Sequence, residues 1–420
     1  MVGLRFVLLT LALPILGSWI RVRPLPLAAR IAVYFGTGLF TIVAEMFVLS
    51  MLGVPWSFAL LLPLPILFGV RRSYRRFFGE PRDPKRRHGR RTPNAILLLA
   101  LFAIAILTSV VLAAGATSGD FVFFWGVKGQ RWGQERTLDY AFTKEPSHYM
   151  HPDYPPLVPL YYAWTMLGGN RALDWWGAML ATPLFLLMST AALWGFARYA
   201  GLRGAEALAA FFATLYALFY IRNAVAGNAE PPLIFFETLA LAALTCWRER
   251  PGEHDVIAAI ALSGVALTKV EGGVFVALVL LTTWIVRRSS WKMGVLPVVT
   301  LAAWLIFGYV HGLTDTYVPR DDLSFAYIGI TLKEMLRELS LHLWYTPWIA
   351  LAIFLLCGRA RAALPYLAAS LGFILFLLSI YTRAEPHLEW SAGRTLMTPF
   401  LLALFGAVAA QRSSAPAPHS

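Results

Sequence analysis

The chain has 420 residues, 58% of them hydrophobic and only 14% charged, with a mean hydropathy of +0.62. A water-soluble domain needs a polar surface that this composition does not supply, so the medium is lipid. The formal net charge of +13 does not point to nucleic acid, because the Lys and Arg fall in short loops between apolar runs, where they set membrane orientation.

Apolar stretches recur from end to end at the length that crosses a hydrocarbon core of ~30 Å, which takes ~20 helical residues. The expected fold is an all-α polytopic transmembrane bundle of about thirteen spans, with interfacial helices in the first large outer loop. Residues 1–93 hold N-terminal helices and a basic cytosolic loop, residues 94–410 the main membrane unit, and residues 411–420 a short tail expected to be disordered and cytosolic.

The run at 2–20 is followed by Arg21 and Arg23 and by no small-residue cleavage site, so it reads as an uncleaved span. Pro55, Pro63 and Pro65 shorten and kink the third of the three N-terminal spans. Residues 71–91 carry ten Lys/Arg against Glu80 and Asp83, a loop that stays in the cytosol. The segment 94–115 then runs outward, and 116–156 forms the longest non-basic polar loop, on the outer face. The next apolar piece, 157–169, is too short to span and follows a Pro-Pro pair suited to a helix start, which makes it interfacial or re-entrant.

Spans follow at 172–197, 205–220, 231–247, 256–268, 272–286, 293–311, 341–357, 362–380 and 396–410, and this register keeps their basic loops on the cytosolic side. Cys246 and Cys357 both fall at cytosolic segment ends and imply no disulfide.

This threading places most of the unexpected polar residues on the outer side. They are Asp120, Lys128, His148, His151, Asp153, Arg222, Asn228, Glu230, Lys269, Glu271, Asp315, Asp321, Asp322, Arg383, Glu385, His387, Glu389 and Arg394. Ionisable groups at membrane depth line a cavity or pair with one another, so a shared side argues for one site.

Asp120 opens an aromatic-rich segment, where it reads equally well as a helix N-cap or as a site carboxylate. His151, Asp153 and Tyr154 precede the short helix; His151 and Asp153 are donor types for a divalent cation, without a full ligand set around them. Glu230 stands before a second Pro-Pro start, where a first-turn acidic residue is the plainer reading. Lys269 and Glu271 are two apart and do not share a helix face, so Lys269 needs a partner from elsewhere, a carboxylate such as Glu230 or an anionic substrate. Arg394 lies at the outer start of the last helix, an end that disfavours a cation unless an anion sits there.

In their order and sidedness these residues resemble the GT-C superfamily of polytopic glycosyltransferases, which includes protein mannosyltransferases and lipid A aminoarabinose transferases. The matching pieces are Asp120, Tyr154-Pro155-Pro156-Leu157, Glu230-Pro231-Pro232-Leu233, Thr268-Lys269 with Glu271-Gly272, and Arg394, over roughly residues 94–410. Two departures stand out: Gly119 precedes Asp120 where the family often has a second acidic residue, and Glu230 stands where Asp is commoner. The three N-terminal spans lie outside the resemblance.

The resemblance implies an integral-membrane enzyme that transfers a sugar, with inversion, from a polyprenyl-phosphate donor to a glycan, lipid-linked or protein acceptor. Its site would face outward from the cytoplasmic membrane. Asp120 would be the general base and Lys269 and Arg394 the phosphate-binding cations, with Lys128, His151, Asp153, Tyr154, Glu230 and Glu271 binding substrate. It requires no metal and no nucleic-acid partner. A transporter or lipid flippase also buries charges in a bundle, but it favours repeated halves and midplane charges, and the sequence shows neither.

The threading makes a direct prediction. In a variant lacking Cys246 and Cys357, a membrane-impermeant maleimide added to intact cells labels Ser147→Cys and leaves Ser73→Cys untouched.

Overall fold

The computed structural model describes residues 2–20, 22, 25–62, 95–114, 118–148, 150–167, 179–223, 225–247, 251–287, 292–313, 328–356, 360–381 and 391–412. The basic loop 71–91, most of the third N-terminal span, Cys357, the acidic positions 315, 321 and 322, the polar run 383–389 and the tail 413–420 lie outside them. Among the described residues every regular element is helical.

The helices are α1 (Val2–Leu16), α2 (Leu27–Met51), α3 (Phe58–Leu61), α4 (Ala95–Ala114), α5 (Gly126–Glu135), α6 (Tyr140–Lys144), α7 (Leu157–Met166), α8 (Ala181–Tyr199) and α9 (Ala205–Arg222). They continue with α10 (Glu230–Thr245), α11 (Pro251–Ala266), α12 (Val270–Arg287), α13 (Lys292–His311), α14 (Ile328–Leu341), α15 (Thr346–Leu356), α16 (Ala360–Tyr381) and α17 (Met397–Arg412).

Among the described residues six segments are long and apolar enough to cross a membrane by length and composition: Leu27–Met51, Ala95–Ala114, Ala205–Arg222, Lys292–His311, Ala362–Ser379 and Ser391–Gln411. Others fall short of that length; α10 and α11 have 16 residues each. The bundle carries many exposed apolar side chains as well as an apolar interior, which is compatible with a multi-pass membrane protein. Only 28% of α4 is buried, and Leu98, Leu99, Phe102 and Leu112 point outward. The last helical segment is the opposite case, with 94% of an 18-residue stretch enclosed by protein.

α10 occupies the centre, buried along its length from Glu230 to Leu244 and flanked by α8, α11 and α17. The N-terminal helices belong to this same core. Phe35 of α2 meets Phe185 of α8 and Phe235 of α10 edge-on, at ring distances of 5.6 and 5.4 Å.

Two elements refine the expectation. The short helix after the Pro-Pro pair, expected to be interfacial or re-entrant, is present as α7, and all ten of its residues are buried by protein. It packs tightly on α5 because Gly129 presents no side chain: a Cβ there would overlap that of Tyr162 and lie 3.0 Å from the Pro159 carbonyl. The second is α14, an amphipathic helix with Thr331, Met335 and Glu338 turned inward. Its four charged residues in fourteen deny it the apolar run by which spans are recognised.

The α5–α7 contact makes a stability prediction. Gly129→Ala costs about 1–3 kcal/mol by overpacking, read as a lowered melting temperature in detergent. Gly329→Ala in α14, with no atom within 4 Å of the new methyl group, leaves stability unchanged or raises it by up to about 1 kcal/mol.

Candidate functional site

The ends of α9 and α11 and the starts of α7, α8, α10, α12 and the last helix meet at one end of the bundle. The joints are specific. Leu157 N–H donates to the Leu267 carbonyl at 2.8 Å, which fastens the Tyr-Pro-Pro-Leu segment to the Thr-Lys turn. Trp304 Nε1 of α13 donates to the Asp153 carbonyl at 3.1 Å. Gly227 donates its N–H to the Thr182 hydroxyl at 3.0 Å and accepts from the Tyr162 hydroxyl at 2.7 Å. Its φ of +85° favours glycine, and a Cβ would also run into the Phe121 ring.

Asp120 sits at the entry to one π-helical turn, Phe121–Trp125, an irregularity that recurs at functional sites. Its carboxylate makes no capping bond. Ser118 does that work: its hydroxyl accepts from Phe121 N–H at 3.3 Å and donates to the side chain of Asn228. The N-cap reading of Asp120 therefore falls away, and its side chain is free to reach Arg394, with which it forms an ion pair.

Arg394 is flanked by two carboxylates, Asp120 and Glu230, the latter 3.7 Å from Nη1. Glu230 Oε1 is 3.2 Å from Lys269 Nζ, and Lys269 Nζ is 3.3 Å from Glu271 Oε1. Four distant stretches thus deliver a continuous network of two cations and three carboxylates. The anions expected beside Arg394 are these, and the distant partner expected for Lys269 is Glu230. Glu271 contradicts the spacing argument. The two residues do pair locally, because Lys269 lies in the turn between α11 and α12 and helix-face geometry does not apply to it.

Burial disfavours the Lys269 ammonium, but Glu230 and Glu271 more than offset that and hold its pKa above the ordinary lysine value. Access grades across the network. The Asp120 side chain is 32% exposed and Glu230 only 3%, so Asp120 is the exposed end of the network and Glu230 the buried one. Glu230 Oε2 and Glu271 Oε2 are buried without a hydrogen-bond partner among the described residues. An unmet acceptor of that kind is costly unless a ligand supplies a donor.

The other expected residues gather beside the network. Lys128 is buried; it donates to the His151 carbonyl at 2.7 Å and lies 5.5 Å from the Trp125 ring centre. His151 stacks on Tyr154 and meets Phe124 edge-on, and Tyr154 stacks on Trp125. Tyr154 is also within electrostatic reach of Lys269. For His151 and Asp153 as metal ligands there is no supporting set: among the described residues no three His, Cys, Asp or Glu side chains are grouped to hold an ion.

A buried acid close to the network escapes the sequence reading. Glu237, two turns below Glu230 on α10, is fully enclosed, with the Thr398 hydroxyl 2.9 and 3.0 Å from its two oxygens. A signal for it exists, since an ionisable residue inside an apolar run is a functional pointer by default. No family model matches the chain, and neither a curated protein nor a solved structure matches it.

The network predicts non-additive stability. Lys269→Met strands buried carboxylates and costs about 3–5 kcal/mol, whereas Lys269→Met combined with Glu230→Gln costs clearly less than the two single changes together. Detergent-micelle unfolding of the four proteins measures this, and full additivity would break the pairing.

Proposed function

We propose that the chain is an integral-membrane glycosyltransferase of the GT-C kind, using a polyprenyl-phosphate-linked sugar donor at the outer face of the cytoplasmic membrane. The observation that carries this reading is the meeting of Asp120, Glu230, Lys269 and Arg394, drawn from four sequence-distant stretches, in one ion-paired network. The shorter helices complete a bundle of about thirteen spans, and the basic loops orient the network outward.

The chemistry assigned to each group follows from its place. The acceptor hydroxyl attacks the anomeric carbon as the bond to the donor phosphate breaks, and the configuration inverts. Asp120, the most accessible carboxylate, takes the hydroxyl proton. The electron pair of the breaking bond goes to the leaving prenyl monophosphate, where charge develops. Lys269 and Arg394 meet that charge, and preorganised cations contribute most where water is excluded. Donor entry requires Arg394 to exchange its bond with Asp120 for one with the phosphate, which frees the base when it is needed. Glu230 stays beneath and keeps both cations in place. The unmet oxygens of Glu230 and Glu271 suit sugar hydroxyls, which are donors. The charges of the network sit at helix ends, which on this reading lie toward the outer face, whereas transporters bind their cargo at midplane breaks.

The test is transfer from a cognate lipid-linked sugar by purified protein. Asp120→Asn lowers the rate about 10²–10⁴-fold while prenyl monophosphate still binds. Full transfer by a folded Asp120→Asn protein would overturn the assignment.

A further inference from the structure

Arg394 is preceded by Gly393, and what lies against Gly393 is a carboxylate from a different element. A Cβ at this position would overlap Glu338 Oε2 of α14, so the acid rests on the bare backbone of the turn that carries Arg394. The same Cβ would lie 3.5 Å from Phe219 at the end of α9. Glu338 is itself fixed. His342 Nε2 donates to its Oε2 at 3.0 Å, and Arg337 Nη2 lies 3.3 Å from its Oε1. The His342 ring is enclosed and packs edge-on against Phe219 at 4.8 Å. Trp344 closes the group against Phe219 and Phe400 at 5.1 and 4.7 Å.

We infer that Glu338 is a positioning residue for Arg394: braced by His342, its carboxylate occupies the side-chain space left by Gly393 and sets where the turn 391–395 holds the guanidinium. This rests on the reading of Arg394 as a phosphate-binding cation. Burial opposes ionisation of Glu338, but the hydrogen bond from His342 and the nearby Arg337 and Arg222 charges hold its carboxyl below the ordinary glutamate value. A brace that stays charged is a fixed one. The amphipathic helix α14 thereby gains a part in the site without contacting substrate.

The test uses the full-length protein in detergent and a C55 prenyl monophosphate as probe, with melting temperatures recorded in parallel. Gly393→Ala pushes the carboxylate off its seat and weakens binding about tenfold, since a displacement of about 1 Å is enough to lose that much. Glu338→Asp withdraws the carboxylate by one methylene and makes room for the methyl group. The double variant Gly393→Ala/Glu338→Asp is therefore expected to recover to within about threefold of wild type, a rescue that general destabilisation does not give.

Wild-type binding by Gly393→Ala, or failure of the double variant to recover while Arg394→Ala loses binding, overturns the inference and leaves the function standing. Wild-type binding by Arg394→Ala overturns both. If Gly393→Ala does not fold, Glu338→Ala decides: it adds no atom, and about tenfold weaker binding supports the brace, whereas wild-type binding refutes it.

Discussion

Arg394 stands between two carboxylates that arrive from separate parts of the chain, Asp120 before a π-helical turn and Glu230 at the head of the central helix. Around that contact the architecture becomes intelligible. An arginine or lysine removed from water must be compensated closely, because the desolvation penalty is several kcal/mol per ion. The chain meets this requirement with three carboxylates from three elements. Each element must then be held in register to within hydrogen-bonding distance, and much of the local irregularity serves that end. The Pro-Pro starts, the positive-φ glycine at 227, the Ser118–Asn228 bond and the glycine contact between α5 and α7 all fix backbone at this one end of the bundle.

Stability and chemistry make opposite demands on the network. Full neutralisation would favour the resting protein, yet a transferase needs cations to spare for a leaving phosphate and a carboxylate free to take a proton. On the proposed function the gradient of access resolves the conflict: Glu230, the buried end of the network, would stay with the cations, and Asp120, the exposed end, would release Arg394 to the donor phosphate. Two buried carboxylate oxygens remain without donors among the described residues, a cost that a bound sugar would relieve.

Much of the fold and of the network is legible in the amino-acid sequence. Composition points to a helical bundle with helices long and apolar enough to cross a membrane, which the structure has, and a cation at the start of a helix, as Arg394 is, demands an anion. The demand of Lys269 for a distant carboxylate is likewise met, by Glu230. Where sequence and structure part, the cause is local backbone or packing. Lys269 pairs with Glu271 because a turn is not a helix face. Asp120 is evenly poised between cap and site in the sequence, and the cap reading falls because Ser118 takes the cap. The short helix α7 is apolar all round, which fits a lipid surface or a protein interior equally, and only packing decides. Glu237 and Glu338 escape for different reasons. Glu237 is a visible anomaly in an apolar run, whereas Glu338 owes its place to a contact with Gly393, some 55 positions along the chain, that no periodicity encodes.

The central claim is that Lys269 and Arg394 receive a lipid phosphate while Asp120 is released. An experimental structure of the purified protein with a C55 prenyl monophosphate tests it most directly. The account predicts a phosphate within hydrogen-bonding distance of both cations, with the Asp120–Arg394 pair opened and Glu230 still beside Lys269. A phosphate bound elsewhere, with the Asp120–Arg394 pair intact, would contradict it.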